Sequence, residues 1–242
     1  MKSMRTKLHT TWIFLATLLL ATTAAMADDT QENKVATDPQ PEISDTISEL
    51  IHRLEDNREQ IKLDSQIAYD ISNELITPHI DFPRITRLII GKHWRKASEE
   101  QRARLINEIQ TLLIRSYVTA MTSYADEIIS NKDRIQYHPS RFKPGDRKAS
   151  VRATIGISNG QTADVRYQVY FTKGEWKIYD IRIEGISLAI TYRSSFDETI
   201  KRKGLDKLIE QLAERNLKGE VELPSSVTQS LSSKTSSAAT QP

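Results

Sequence analysis

The side chains best suited to chemistry are few and scattered. The histidines are His9, His52, His79, His93 and His138. No two stand at metal-ligand spacing and there is no H-E-x-x-H, so a helical zinc site is not encoded. Cysteine is absent, which removes a disulfide framework, a thiolate zinc site, a thiol nucleophile and a lipobox cysteine. No G-x-x-x-x-G-K-[ST] or G-x-G-x-x-G loop is present to cradle phosphates, and no G-x-S-x-G elbow to present a serine. Glu99-Glu100 falls in the first turn of an expected helix, where the helix dipole already accounts for acids. Asp164 and Asp180 are the candidate bases if a sheet domain of this kind worked as an isomerase or dehydratase. Alternation with Tyr179 and Ile181 turns Asp180 towards water or a helix edge. The segment Arg141 to Lys148 holds four bases and one acid, suited to lipid phosphates, to an acidic partner or simply to solvent. What is left over is a surplus of apolar and aromatic side chains. The residues alone leave open whether these fill a core or line a cavity.

The elements that position them follow from spacing. Thr46-Ile47-Ser48-Glu49 reads as a capping box, and Ile47, Leu50, Ile51 and Leu54 continue at helical spacing. Ile67, Ile71 and Leu75 mark a second helix that Pro78 ends. Asp81 can cap a short helix with Pro83 in its first turn and Gly91 as its stop. Ser98 to Gln101 is another capping box. After it, Leu105, Ile109, Leu112, Leu113, Tyr117, Ala120, Met121, Tyr124 and Ile128 share one face of a long helix reaching about 129. The period then changes to two. A short strand over 134–138 precedes Val151, Ala153, Ile155 and Ile157, then Val165, Tyr167, Val169 and Phe171, then Tyr179, Ile181 and Ile183. Asn159-Gly160 and Lys173-Gly174 suit tight turns needing positive φ. Ser195 to Glu198 caps a further helix, and Gly204 divides it from a last one carrying Leu205, Leu208, Ile209 and Leu212. The class is therefore α+β, a four-stranded antiparallel meander with one apolar face that helices must cover.

Lys2, Arg5 and Lys7, the apolar run Trp12 to Ala21 and Ala25-Met26-Ala27 form a signal-peptide pattern over 1–27, with about half the length a membrane span needs. Without it the net charge of +2 becomes 31 bases against 32 acids, so bulk charge gives no reason to expect nucleic acid. Residues 28–45 hold six acids, one base and two prolines and read as a disordered acidic linker. Residues 217–242, rich in Ser and Thr, read as a disordered tail. The folded part is 46–216.

Asp81-Phe-Pro-Arg-Ile-Thr-Arg-Leu-Ile-Ile-Gly91-Lys-His-Trp94-Arg95, Ser98-Glu-Glu-Gln101-Arg102 and Leu112-Leu-Ile-Arg-Ser-Tyr117 together resemble the MlaC family, also known as toluene-tolerance auxiliary proteins. So do Trp176-Lys-Ile-Tyr179-Asp180-Ile-Arg-Ile-Glu184-Gly185-Ile-Ser187, Tyr192-Arg193-Ser-Ser-Phe196 and Gly204-Leu-Asp-Lys-Leu-Ile209. Each motif is loose alone; their order over about 64–216 makes the resemblance specific. It implies a twisted sheet wrapped by helices, cone-like around a deep apolar pocket in the manner of nuclear transport factor. It also implies a periplasmic carrier with no cofactor and phospholipid as cargo. A monomer would pass lipids between the outer-membrane MlaA complex and the inner-membrane MlaFEDB complex, through MlaD. The residues expected to line such a pocket are Val151, Ile155, Tyr167, Val169, Ile181, Ile183 and Ile186 from the sheet side and Ile109, Leu112, Tyr117 and Met121 from the long helix, with Leu188 and Tyr192 at the rim. Arg141, Lys143, Arg147 and Lys148 are the expected steering charges at its mouth. A ligand-free periplasmic adaptor and the isomerase or dehydratase are the alternatives.

Overall fold

The computed structural model describes residues 34–156 and 162–220. The expected signal segment 1–27, the tight turn expected at Asn159-Gly160 and the expected Ser/Thr-rich tail from 221 onward lie outside the described residues. The chain runs α1 (Pro39–Asp56), α2 (Arg58–Leu63), α3 (Gln66–Leu75), α4 (Phe82–Ile90), α5 (Glu99–Ser123) and α6 (Ala125–Ser130). It continues through β1 (Ile135–Tyr137), β2 (Lys148–Gly156), β3 (Thr162–Thr172), β4 (Glu175–Ile183) and β5 (Ile186–Ser187), and closes with α7 (Leu188–Lys203) and α8 (Leu205–Lys218). Neighbours in sequence are neighbours in the sheet and every pairing is antiparallel. The class is α+β as the periodicities indicate.

Five strands stand where four are expected. The extra one, β5, follows a turn at Glu184 and Gly185, whose φ values of 52° and 80° send the chain back along β4. Two residues are too few to show alternation. The β3–β4 turn at Lys173 and Gly174 (φ 50° and 80°) is the tight turn that its sequence suggests.

A bulge decides which way β4 faces. Tyr167 pairs with Ile181, but Val169 pairs with Ile178, so one extra β4 residue sits between the two pairs. The bulge reverses the alternation, and Trp176 and Ile178 join Ile181 on the apolar face. Asp180 keeps the facing that alternation gives it, opposite Ile181 and paired with Gln168, and meets the helix edge: the start of α7 covers it, leaving 7% exposure. It accepts the Ala189 N–H at 3.3 Å at the start of α7, with Arg182 3.6 Å away.

Two helices begin earlier than their capping boxes suggest. Asp38 caps α1 by accepting the Gln40 N–H at 2.9 Å, and Pro39 opens the helix. Residues 39–45 are therefore helical where a linker is expected, because Ile43 has a sheet to bury against. Thr46, inside α1, donates back to the Glu42 carbonyl at 2.8 Å. Likewise α7 starts at Leu188, its cap Ser187 accepting the Ile190 N–H at 3.2 Å, and Ser195 is an exposed residue within it. The Ser98–Gln101 box is formed at α5 as its spacing indicates. That helix stops at Ser123, and α6 resumes after Tyr124.

Asp81 fastens α4 to the sheet. One carboxylate oxygen caps the helix by accepting the Arg84 N–H at 2.8 Å, and the other accepts the Tyr170 hydroxyl. The Asp81 N–H donates to the Ile178 carbonyl at 2.9 Å. Arg84 lies over Tyr170, 3.9 Å from the ring centroid, and over Tyr179 at 4.9 Å. Removing both roles of Asp81 should cost about 2 kcal/mol, one part for the cap and one for the orphaned hydroxyl. Urea denaturation of Asp81→Ala should show that loss with an unchanged slope, and Asp81→Asn, which can still cap, should lose clearly less.

Candidate functional site

The apolar face of the sheet forms one wall. Val151, Tyr167 and Ile181 lie in line across β2, β3 and β4, and Val169 stands beside Ile178. Val151, Val165, Tyr167, Val169, Trp176 and Ile178 are buried together with Ala36 and with Ile43 of α1. Ile155 and Ile181 lie at the margin of this cluster, along with Ile47, Tyr137 and Phe142. Trp176 anchors it: its indole N–H donates to the Thr37 carbonyl at 2.9 Å, and Phe142 and Phe171 meet it edge-on at 5.9 and 5.3 Å. Phe142 thus tucks the basic 141–148 loop against the sheet, leaving Arg141, Lys143 and Lys148 exposed while Arg147 reaches the Phe171 carbonyl. Burial pushes the Tyr137 phenol up to about 12, with Asp45 adding to the shift. It pushes the buried Tyr167 phenol up as well, Tyr137 adding to the effect.

Helices form two further clusters. Ile85, Ile89 and Ile90 of α4, Leu105, Ile109 and Leu112 of α5, and residues of α7 and α8 including Tyr192 and Phe196 pack as one. Leu54, Ala68, Ile71, Val118 and Met121 pack as the other, with Tyr117 at its edge. The expected lining residues are thereby divided. Val151, Tyr167 and Val169, with Ile155 and Ile181 beside them, share the sheet cluster. Ile109, Leu112 and Tyr192 belong to the first helical cluster, Met121 and Tyr117 to the second. Ile183 and Leu188 are half-buried, and Ile186 is exposed. Sequence reasoning passed over Ile43, Trp176 and Ile178 as wall residues. The first sat in an apparent linker, and the other two precede the bulge.

Buried hydroxyls mark the helical side. Ser72 on α3, Thr86 on α4, and Ser116 and Tyr117 on α5 carry buried oxygens without a hydrogen-bond partner of ordinary geometry. Burial raises the Tyr117 phenol, while the nearby hydroxyls of Thr77 and Ser72 pull it back.

A different kind of surface lies at the far end of α4. An open depression of about 660 Å³ is lined by Arg87, Gly91, Lys92, Trp94, Arg95, Arg102 and Arg193. A second of about 390 Å³ shares Lys92 and Arg95 with it and adds His93 and Lys96. Among the described residues no group of His, Cys, Asp and Glu is placed to hold a metal ion, and no helix is long and apolar enough to cross a membrane.

Comparison with known proteins places this geometry. The MlaC protein family model matches residues 44–214. The chain is 30% identical over 175 residues to toluene tolerance protein ttg2D of Pseudomonas putida, covering 71% of this chain and 78% of that one. It is 22% identical over 209 residues to the intermembrane phospholipid transport system binding protein MlaC of Haemophilus influenzae, covering 85% and 91%. A phospholipid-binding protein from Ralstonia solanacearum, solved in complex with a phospholipid, superposes with a TM-score of 0.65 at 28% identity, covering 76% of this chain and 99% of the other.

The buried phenols give the sheet wall an alkaline limit. Their pKa values are raised in the folded state, so their contribution to stability is complete below the ordinary tyrosine value near 10 and is lost as pH rises through the folded values. Stability should fall from about pH 10 to 12. In Tyr137→Phe/Tyr167→Phe that fall should be shallower. Denaturation at stepped pH, with phenolate absorbance followed in parallel, checks both.

Proposed function

The chain belongs to the MlaC family, and on that premise we propose that it is a periplasmic phospholipid carrier. In this reading it is the soluble component of an Mla-type system that shuttles lipids between the two membranes and maintains outer-membrane lipid asymmetry. The observation that carries the proposal is the likeness to the Ralstonia solanacearum protein, which holds a phospholipid and is matched over 99% of its length. The protein acts by enclosure and leaves its cargo chemically unchanged.

The physical problem is the acyl chain. At about 0.8 kcal/mol per buried CH₂, exposing one sixteen-carbon chain to water costs on the order of 12 kcal/mol. A carrier must cover nearly all of that surface. Val151, Ile155, Tyr167, Val169, Ile181 and Ile183 of the sheet and Ile109, Leu112, Tyr117 and Met121 of α5 are the walls we assign to a deep apolar pocket, with the headgroup outside past Ile186, Leu188 and Tyr192. The sheet cluster and the helical clusters are separate packing units. Acyl chains entering between them part an existing seam instead of opening a solid core.

A cargo held this firmly leaves only slowly by itself. Transfer therefore requires docking of the monomer to the MlaA complex on one side and to the MlaD ring of MlaFEDB on the other. Tails then pass from one apolar enclosure to the next without meeting water. Direction is imposed by those complexes.

Organic extraction and mass spectrometry of the purified protein should recover phospholipid. Ile155→Asp, at the half-buried margin of the sheet cluster, puts a carboxylate in the tail path and should lose most of the bound lipid while circular dichroism stays unchanged. Lipid-free protein that also fails to load from phospholipid vesicles would favour the adaptor. Truncation after Glu220 leaves α8 whole and should leave the lipid yield unchanged.

A further inference from the structure

The depression at the end of α4 is built for anions. Arg87, Arg95, Arg102 and Arg193 border it together with Lys92. Among the described residues no carboxylate lies within ion-pair distance of any of those four arginines, although ion pairs are common elsewhere on this surface. Asp197 pairs with Lys92 of this border at 3.6 Å and is already engaged by His93 at 2.7 Å and Lys201 at 2.5 Å.

Two of the guanidiniums are held by groups that fix position without cancelling charge. Arg102 donates through Nε and one terminal nitrogen to the Trp94 carbonyl, both at 3.2 Å. Arg193 donates to the Leu88 carbonyl at 2.6 Å. Each keeps further N–H donors in a rigid fork. Trp94 lies between two cations, with Arg87 at 5.9 Å and Arg102 at 5.5 Å from its ring centroid. Gly91 makes the close approach possible: its φ is 57°, and a Cβ there would sit 3.1 Å from Arg193 Nε. The helix dipole explains Arg87 in the last turn of α4. It opposes Arg102, which stands in the first turns of α5 beside the positive helix end.

We infer that this depression docks an acidic segment of a protein partner. Four unpaired guanidiniums around one opening call for several carboxylates, and the arginine fork matches a carboxylate in two-point contact. The tail of a lipid is a poor fit, because five cationic side chains border the opening and Trp94 is the one apolar side chain among them. A flat membrane is also a poor fit, since Trp94 is half-buried in a concavity and cannot insert. The inference stands on these residues and not on the cargo reading, which lipid extraction tests by itself.

The test uses the full chain and a fluorescein-labelled oligoglutamate peptide followed by fluorescence anisotropy at low salt. Arg87→Gln/Arg95→Gln removes two exposed charges that make no hydrogen bond or ion pair among the described residues, so folding should be preserved. It should weaken peptide binding about tenfold and lower its salt dependence. Arg141→Gln/Lys143→Gln removes equal charge from the 141–148 loop and should leave the affinity within about twofold. Equal weakening by both variants overturns the site, because bulk charge would explain it. Absence of peptide binding overturns it, as does inorganic phosphate binding alone. Tighter capture by phosphatidylglycerol vesicles, lost in the same variant, would assign the surface to a membrane and overturn the protein partner.

Discussion

An antiparallel sheet with a single apolar face cannot stand in water, and the covering of that face organises this protein. Val151, Val165, Tyr167, Val169, Trp176 and Ile178 present a continuous hydrophobic surface. Each such side chain contributes about 1.5–3 kcal/mol when fully withdrawn from water. The cover comes from the start of the chain. Ile43 and Ile47 bring α1 onto the sheet cluster, and Trp176 ties the approach to α1 through the Thr37 carbonyl. The same helix places Leu50 and Leu54 in the neighbouring helical cluster, so one element joins two packing units.

A second element performs the same service on the other side. The first half of α5 gives Leu105, Ile109 and Leu112 to the cluster shared with α4, α7 and α8, and its second half gives Val118 and Met121 to the cluster shared with α1 and α3. Three packed units joined by two long helices differ mechanically from one fused core. A fused core resists parting everywhere, since interiors are close-packed. Joined units can separate along their boundaries while each keeps its own contacts. In the carrier role proposed above, this division is the property that would let apolar chains enter and leave.

The two arginine environments on this molecule show how charge is used. Arg84 is spent on structure, lying over Tyr170 and Tyr179 where Asp81 pins α4 to the sheet. Arg102 and Arg193 are held by main-chain carbonyls, which set their position and leave their charge uncancelled. A cation neutralised by a carboxylate has little left for a partner. One anchored by a carbonyl keeps nearly all of its field.

Much of this was legible in the residues. The apolar alternation of β2 and β3, the Ser98 capping box, the Asp81 cap and the break at Gly204 are local chemistry, and each appears where its sequence puts it. The family was legible too, since ordered motifs survive where single ones are ambiguous. The rest depended on contacts distant in sequence. Helix α1 extends to Pro39 because a sheet more than a hundred residues later buries Ile43. Trp176 and Ile178 join the apolar face because one added residue in β4 reverses their facing, and Asp180 is buried because α7 folds over it. The basic depression assembles from α4, α5 and α7, whose arginines are unremarkable in three separate stretches. Periodicity reports which way a side chain leans from its own backbone. Only the packed chain decides what it meets there, because burial and convergence depend on elements that the local pattern cannot see.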